Sequence, residues 1–294
     1  MKTFKVNHEP FITINKPIYA YILGLLWADG HVAIYKTKAG STRSVIQFTT
    51  TFPDNEHFEK AFKSTGEWNI QYSQRFHWKR RCDIITANPI LTNFLLNNDY
   101  GAKSFCSADK ILSKIPLNLH RFWYLGLIDG DGCFFCKKET GTYCFSVSSS
   151  YNQDWNFMCL LADKLNIPYS IVRAKSTHGD SSKFIIFGGD NVKVLGNYLY
   201  GENQMGLPRK HEKLKTIEHT FRSKSSIYPG ISLNKKTKRW RVLGSQENGA
   251  HKTFGSFKTE NEALQFILSN PQHFSKKQLE KLYRLTKHPC KPVT

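Results

Sequence analysis

The hydrophobic pattern of the chain changes period repeatedly, and it does so twice in the same order. Residues 1–17 read as a basic, irregular entry, and Asn15 with Pro17 marks a helix start, because Asn caps well and proline suits a first turn. An apolar run comes next, Ile22-Leu23-Gly24-Leu25-Leu26-Trp27-Ala28-Asp29-Gly30, which reads as the end of a helix. From His31 to Phe52 the period drops to two. Val32, Ile34, Ile46 and Phe48 share one face, with a loop between Lys36 and Ser44, which predicts a hairpin. Phe58 and Phe62, four apart, predict a helix over 54–64. Residues 68–87 predict a second hairpin, and a helix runs through 90–96.

The sequence then starts again. Asn118 is placed to cap a helix ending in Tyr124-Leu125-Gly126-Leu127-Ile128-Asp129-Gly130-Asp131-Gly132, a near copy of the first run. Strand-like segments 133–138 and 143–149 come after it, with Tyr143, Phe145 and Val147 inward and Ser146 and Ser148 outward. A helix over 155–165, a hairpin from 168–175 and 183–187, and a helix near 192–200 complete the second pass. The chain thus reads as α+β, with two αββαββα halves, 1–116 and 117–219. A third unit over 220–272 predicts three short strands and a helix. Residues 273–294 predict a short amphipathic helix and a Pro/Lys-rich tail.

Each apolar run carries small residues four apart, Gly24 with Ala28 and Gly126 with Gly130. Positions i and i+4 share a helix face, and small side chains there let a second helix approach closely. Packing the two runs together sets Asp29 beside Asp131, at the negative ends of two helix dipoles. Two adjacent carboxylates are relieved by a raised pKa or by a divalent cation with oxygen ligands, which Mg2+ prefers.

Composition narrows the partner. A net charge of +19 and a pI of about 9.6 call for a polyanion. Nucleic acid is favoured over an anionic membrane, because no apolar run approaches the roughly 20 residues of a span and Met1-Lys2-Thr3-Phe4-Lys5 lacks a signal-peptide core. A hydrophobic fraction of 40% with 21 Phe is enough for real cores. Seven scattered cysteines fit a reducing intracellular compartment. Cys133 and Cys136 form a lone CxxC whose sulfurs a strand would point to opposite faces, so no zinc site is expected. Asp129-Gly130-Asp131-Gly132 opens like a calcium loop, but Cys133 and Thr140 stand where ligands would be needed.

The paired nonapeptides resemble the doubled signature of single-chain LAGLIDADG homing endonucleases, over residues 15–218. The second copy matches closely, and in the first Trp27 replaces an acid. The resemblance implies a monomeric, site-specific double-strand DNA endonuclease that cuts across the minor groove of a long, loosely read site, using Mg2+ with Mn2+ as the alternative. It makes Asp29 and Asp131 the metal ligands, helped by the backbone carbonyls of Ala28 and Gly130. It also places a basic residue near the metal, for which Lys103 and Lys210 occupy corresponding places in the two halves. Asp129, facing Trp27 in the repeat, reads as structural.

DNA contacts are expected from the polar faces of the hairpins. The first half offers Tyr35, Arg43, Gln47 and Thr49, with Arg75, His77, Lys79, Arg80 and Arg81 around a cationic turn. The second offers Lys137, Ser146, Ser148, Arg173, Lys175 and Lys183. The third unit resembles the AP2-type DNA-binding domain: Gly230-Ile231, then Arg239-Trp240-Arg241, then Gly255-Ser256-Phe257 before a helix containing Ala263. Its contacts would be Lys235, Lys236, Lys238, Arg239 and Arg241, and Glu247 is the sole acid between Arg222 and Lys258. Two rivals remain from other classes. One is a group I intron RNA maturase or a catalytically silent DNA-binding regulator on the same scaffold, and loss of either aspartate would favour it. The other is a chromatin-like basic protein, for which the paired acids would be gratuitous.

Overall fold

The computed structural model describes residues 6–38, 40–74, 80–137, 141–175, 177, 179–201, 205–220, 226, 228–234, 237–245 and 251–287. The chain divides into two units, Met1–Thr220 and Phe221–Thr294. In order, the first unit contains α1 (Glu9–Thr13), α2 (Pro17–Asp29), β1 (Gly30–Lys36), β2 (Thr42–Thr51), α3 (Asn55–Lys63), β3 (Asn69–Ser73), β4 (Arg81–Thr86), α4 (Pro89–Asn97) and α5 (Asp109–Lys114). It continues with α6 (His120–Asp131), β5 (Gly132–Lys137), β6 (Thr142–Ser150), α7 (Asn156–Lys164), β7 (Tyr169–Ala174), β8 (Ser181–Phe187), α8 (Gly189–Leu199) and α9 (Pro208–Thr220).

A helix apolar on every side is stable only when buried on every side. Residues Ala20–Trp27 of α2 and Phe122–Asp129 of α6 are all buried, because the two helices pack against each other at the centre of the unit. Two antiparallel sheets flank them with the same strand order, β1-β2-β4-β3 and β5-β6-β8-β7. The duplication extends to register: Gly30 faces Phe48 in the first sheet and Gly132 faces Val147 in the second. Helices α3 and α4 cover one face of the first sheet, and α6 and α8 one face of the second. Inward positions build the cores, Val32, Ile46, Phe48 and Ile84 on one side and Phe134, Phe145, Val147 and Phe184 on the other. The α+β duplication expected from the sequence is therefore present.

Three local expectations are corrected. The entry contains α1, whose Phe11 is fully buried, and α2 starts from an extended Lys16 with Pro17 at its first position, so Asn15 caps nothing. Asn118 lies inside a 3-10 turn, Leu117–Leu119, that runs straight into α6 and leaves no separate cap to fill. Ile34 shares the inward register of Val32 and Ile46 but is 41% exposed, so it is not part of the core.

The second unit contains β9 (Ile231–Asn234), β10 (Arg239–Ser245), β11 (His251–Phe257), α10 (Glu260–Ser269) and α11 (Lys276–Lys287). The sheet order is β11-β10-β9, all antiparallel. Ile231 and Val242 pack with Ala263, Leu264, Ile267, Phe274 and Leu282, and Trp240 lies against this core. Helix α11 belongs to it: Leu282 is fully buried, and Gln278 Nε2 donates to the carbonyls of Pro229 and Leu243. Among the described residues, no helix is long and apolar enough to cross a membrane.

Candidate metal and nucleic-acid site

The glycines of the two signature helices set the site. A Cβ on Gly24 would fall on the Trp123 carbonyl and lie 2.9 Å from Leu127 N. One on Gly126 would fall on the Tyr21 carbonyl and lie 2.9 Å from Leu25 N. The two approaches are the same contact seen from either side of a pseudo-twofold axis. Nearer the acids, Gly130 rests on Ala28, and a Cβ there would lie 3.4 Å from Asp29 Oδ2. Asp29 and Asp131 are therefore neighbours at the paired helix ends, as the spacing requires. Gly30 and Gly132 continue in extended backbone, so each sheet begins at its acid. Their small size matters more than their φ, since a Cβ would strike the preceding helical turn.

Asp29 and Asp131 are both exposed, yet protein atoms crowd their carboxylates enough to desolvate them in part. Partial desolvation raises the Asp29 pKa, against the pull of Lys103 and Lys210. Desolvation and then the charge of Asp29 push Asp131 up to about 7. Such a pair is poised to accept a cation. Hard oxygen donors at a helix end suit Mg2+, Ca2+ or Mn2+, and among the described residues no third His, Cys, Asp or Glu joins them. Mg2+ is commonly held by one or two carboxylates plus waters and substrate phosphates, so the donor set fits.

Lys103 and Lys210 come to corresponding places beneath the pair. Lys103 Nζ donates to Leu26 O (3.1 Å) and Ala28 O (2.5 Å). Lys210 Nζ donates to Ile128 O (2.5 Å), Asp129 O (2.8 Å) and Gly132 O (2.6 Å). Each ammonium thus ties off helix-end carbonyls, a favourable place for a cation. Burial lowers both amines to about 8, opposed by the nearby carboxylates. Lys210 spends all three donors on the backbone and is 4% exposed, whereas Lys103 spends two. Lys103 also lines a cleft of about 200 Å³ with Ala28, Asp131, Ser148, Ser150 and Gln153. The Ala28 carbonyl is thus already an acceptor for Lys103, leaving one lone pair for a metal.

Asp129 is 1% exposed and sits in a network that the sequence did not reveal. It accepts from Tyr21 OH (2.8 Å), Tyr200 OH (2.6 Å) and Leu207 N (2.8 Å), and His57 Nε2 lies 3.1 Å from Tyr21 OH. Burial raises its pKa and, together with the Asp129 charge, those of both tyrosines. In the first half the same position is Trp27, which packs on Tyr100, Trp123 and Phe157. One copy fills this space with an indole and the other with a hydrogen-bonded acid. The network also fixes Leu207, three residues before Lys210.

The expected polar faces are those that carry no helix. Gln47, Thr49 and Arg81 come together there, while Tyr35 is 45% exposed nearer the far end of β1. Arg80 stacks over Phe52 and Tyr72. In the second half Ser148, Lys183 and Lys137 are exposed, Ser146 is half-buried, and Lys137 lies over Phe187. Arg173 donates to Tyr151 O and Gln153 O, and Lys175 lies over the Tyr151 ring. Arg43 sits half-buried at the start of β2. In the second unit Arg239 and Arg241 are exposed on the sheet face opposite Trp240, with Arg239 donating to Ser256, and Lys238 is in the turn before them. Arg75, His77, Lys79, Lys235 and Lys236 lie outside the described residues. An acid, Asp83, stands at the centre of the first face and was not anticipated.

No family model and no curated protein matches the chain. Among solved structures, the similarity runs to homing endonucleases. Mesophilic variants of I-DmoI give a TM-score of 0.45 at 16% identity, covering 68% of this chain and 97% of theirs. I-DmoI in complex with DNA and Ca gives 0.45 at 15%, covering 68% and 97%. The LAGLIDADG meganuclease I-AabMI bound to uncleaved DNA gives 0.46 at 13%, covering 93% of this chain and 98% of that one. At identities this low and TM-scores below 0.5, function has to be derived from the residues themselves.

Proposed function

We propose that the chain is a single-chain, site-specific double-strand DNA endonuclease that uses a divalent cation, Mg2+ or Mn2+. The observation that carries this reading is the acid pair: one Asp from each half, at the junction of two duplicated sheets, each half with a lysine donating to the helix-end carbonyls at the same place. A structural scaffold gains nothing from two mutually repelling carboxylates there. One acid per half suits a substrate with two strands, and net charge +19 suits a polyanion.

Asp29 and Asp131 would hold the cation, with the Ala28 and Gly130 carbonyls at its margin. When bound, it polarises the scissile phosphoryl group and stabilises charge on the leaving oxygen. Lys103 holds a proton at Nζ with a donor left for the cleft, where it would orient water or offset phosphate charge. Lys210 fixes the helix end that carries Asp131. The uncovered faces of the two sheets would track the DNA grooves on either side of the acids, through Gln47, Thr49 and Arg81 in one half and Ser146, Ser148 and Lys183 in the other. The second unit, AP2-like in its three strands and helix, would add contacts through Arg239 and Arg241 and tether the enzyme by effective concentration.

The test is cleavage of a randomised long-site DNA library in Mg2+ and in EDTA. Cation-dependent ends enriched for one site are expected. Site-selective binding without cutting would contradict the nuclease and favour the maturase or regulator reading.

A further inference from the structure

The lysine of the first half is held in place by the second half. Lys103 opens a segment that follows α4 and runs to Asp109 at the start of α5. Ser150 Oγ donates to the carbonyl of Ser104, the residue next to Lys103. Gln153 Nε2 donates to Cys106 O at 2.8 Å, Phe157 N to Ser107 Oγ at 3.2 Å, and Asn156 Nδ2 to Asp109 Oδ2 at 3.0 Å. All of these donors lie between the last residue of β6 and the first turn of α7. The second half is held in return. Arg209, beside Lys210, donates through Nε to both carboxylate oxygens of Asp54, at 2.7 and 2.8 Å, just before α3.

Gln153 is the centre of this mooring. It is 3% exposed, its NH2 donates to Asp154 O (2.9 Å) as well as to Cys106 O, and its Oε1 accepts from Ser149 Oγ (2.7 Å). A buried amide is tolerated when it is hydrogen-bonded, and here one of its bonds crosses to the backbone of the other half. What the crossing places is Lys103. A lysine stem is flexible, so its ammonium is fixed only where the backbone carrying it is fixed. The Lys103 ammonium ties Leu26 O and Ala28 O at the end of α2, while the backbone beside it is tied to the second half. The cleft of about 200 Å³ is composite as a result. Ala28 and Lys103 come to it from the first half, and Asp131, Ser148, Ser150 and Gln153 from the second.

We infer that Ser150 and Gln153 are positioning residues for Lys103, so that the cutting centre containing Asp131 is assembled across both halves. The first half supplies its lysine and the second its acid and its hydroxyl-lined wall. The strand seated in this cleft depends on the mooring, and the other strand does not. This rests on the DNA-endonuclease reading above, and it adds the residues that place the lysine of one centre.

The experiment uses the full-length protein in Mg2+ on a duplex carrying the site selected from the randomised library. Each strand is end-labelled in turn, so that two single-turnover nicking rates are read. The variants are Ser150→Ala, Gln153→Ala, Lys103→Met and the two combinations with Lys103→Met, with DNA binding in EDTA and melting temperature measured alongside. Ser150→Ala and Gln153→Ala should each slow one strand by about tenfold, through misplacement of the lysine, with binding retained. That strand should be the one that Lys103→Met slows most. Added to Lys103→Met, neither should slow it further, because both act only through the lysine. Equal losses on both strands, losses that multiply in the combined variants, or unchanged rates in folded variants would overturn the inference while leaving the nuclease in place. Should Gln153→Ala fail to fold, Ser150→Ala, which removes a single hydroxyl, decides the matter by the same readouts. A wild type that binds the site and cuts neither strand would overturn the nuclease reading and this inference with it.

Discussion

Asp29 and Asp131 stand where neither ionises freely, and that strain is legible as function. Removing one charge should relieve the other, so Asp131→Asn is expected to stabilise the metal-free protein by about 1 kcal/mol, since both residues are exposed and solvent screens part of the repulsion. Stability should also depend on pH with a definite sign. An acid whose pKa rises on folding from 3.8 to about 7 holds its proton more tightly in the folded state, so its contribution to stability falls as pH rises through that window. The stability difference between wild type and Asp131→Asn, measured by chemical denaturation in EDTA, should show the decline, and a flat difference would refute it. Cation affinity and cleavage should climb over the upper part of the same window, because a protonated Asp131 is no ligand.

The two lysines separate by the same count of donors. Lys210→Met leaves three buried carbonyls without a partner and should cost about 2–4 kcal/mol of stability. Lys103→Met should cost about 1 kcal/mol less and instead slow single-turnover cleavage by about 100-fold, the usual effect of losing one preorganised donor. Thermal melts beside single-turnover rates distinguish the two, and equal losses in both variants would refute the division of roles.

At the scale of elements, the glycine contacts govern the spacing of α2 and α6. Gly24→Ala and Gly126→Ala each set a methyl on the backbone of the other helix. Overpacking of this kind costs about 1–3 kcal/mol, more than the roughly 1 kcal/mol that helix propensity returns. Melting temperature and cleavage should fall together in both variants, because the acids move with the helices; a stabilised variant would show that the helices do not pack through these glycines. These contacts were visible in the sequence because the repeat kept small residues at fixed spacing in both copies. Strand order was not written in either copy separately, but the two copies supported each other. Helices α5 and α9 escaped notice: one is short, and the other is so rich in Lys that Leu214 and Ile217 give little periodic signal. Asp129 could be read as structural from its opposition to Trp27, yet Tyr21, His57 and Tyr200 come from distant positions and share no local pattern. Asp83 is a single acid in a β-rich stretch, and only the register opposite Thr49 gives it meaning.

At the scale of the whole molecule, the proposed function gives the second unit a share of the DNA contacts, and salt dependence tests it. Each phosphate contact adds about 0.9 to the slope of log affinity against log salt. A chain ending before Arg222 should therefore bind DNA more weakly, with a slope shallower by about 2 if Arg239 and Arg241 alone are lost to phosphates. An unchanged slope would remove the second unit from the interface. The first unit should keep cutting, since the acid pair and both lysines lie within Met1–Thr220. On the proposed function, one acid from each half completes a cutting centre for two strands. Its most direct test is linearisation of a supercoiled plasmid carrying the selected site, by wild type, Asp29→Asn and Asp131→Asn in Mg2+, with binding measured alongside. Linear product from the wild type, none from either variant, and undiminished binding by all three is the expected result. Full linearisation by either variant would contradict it.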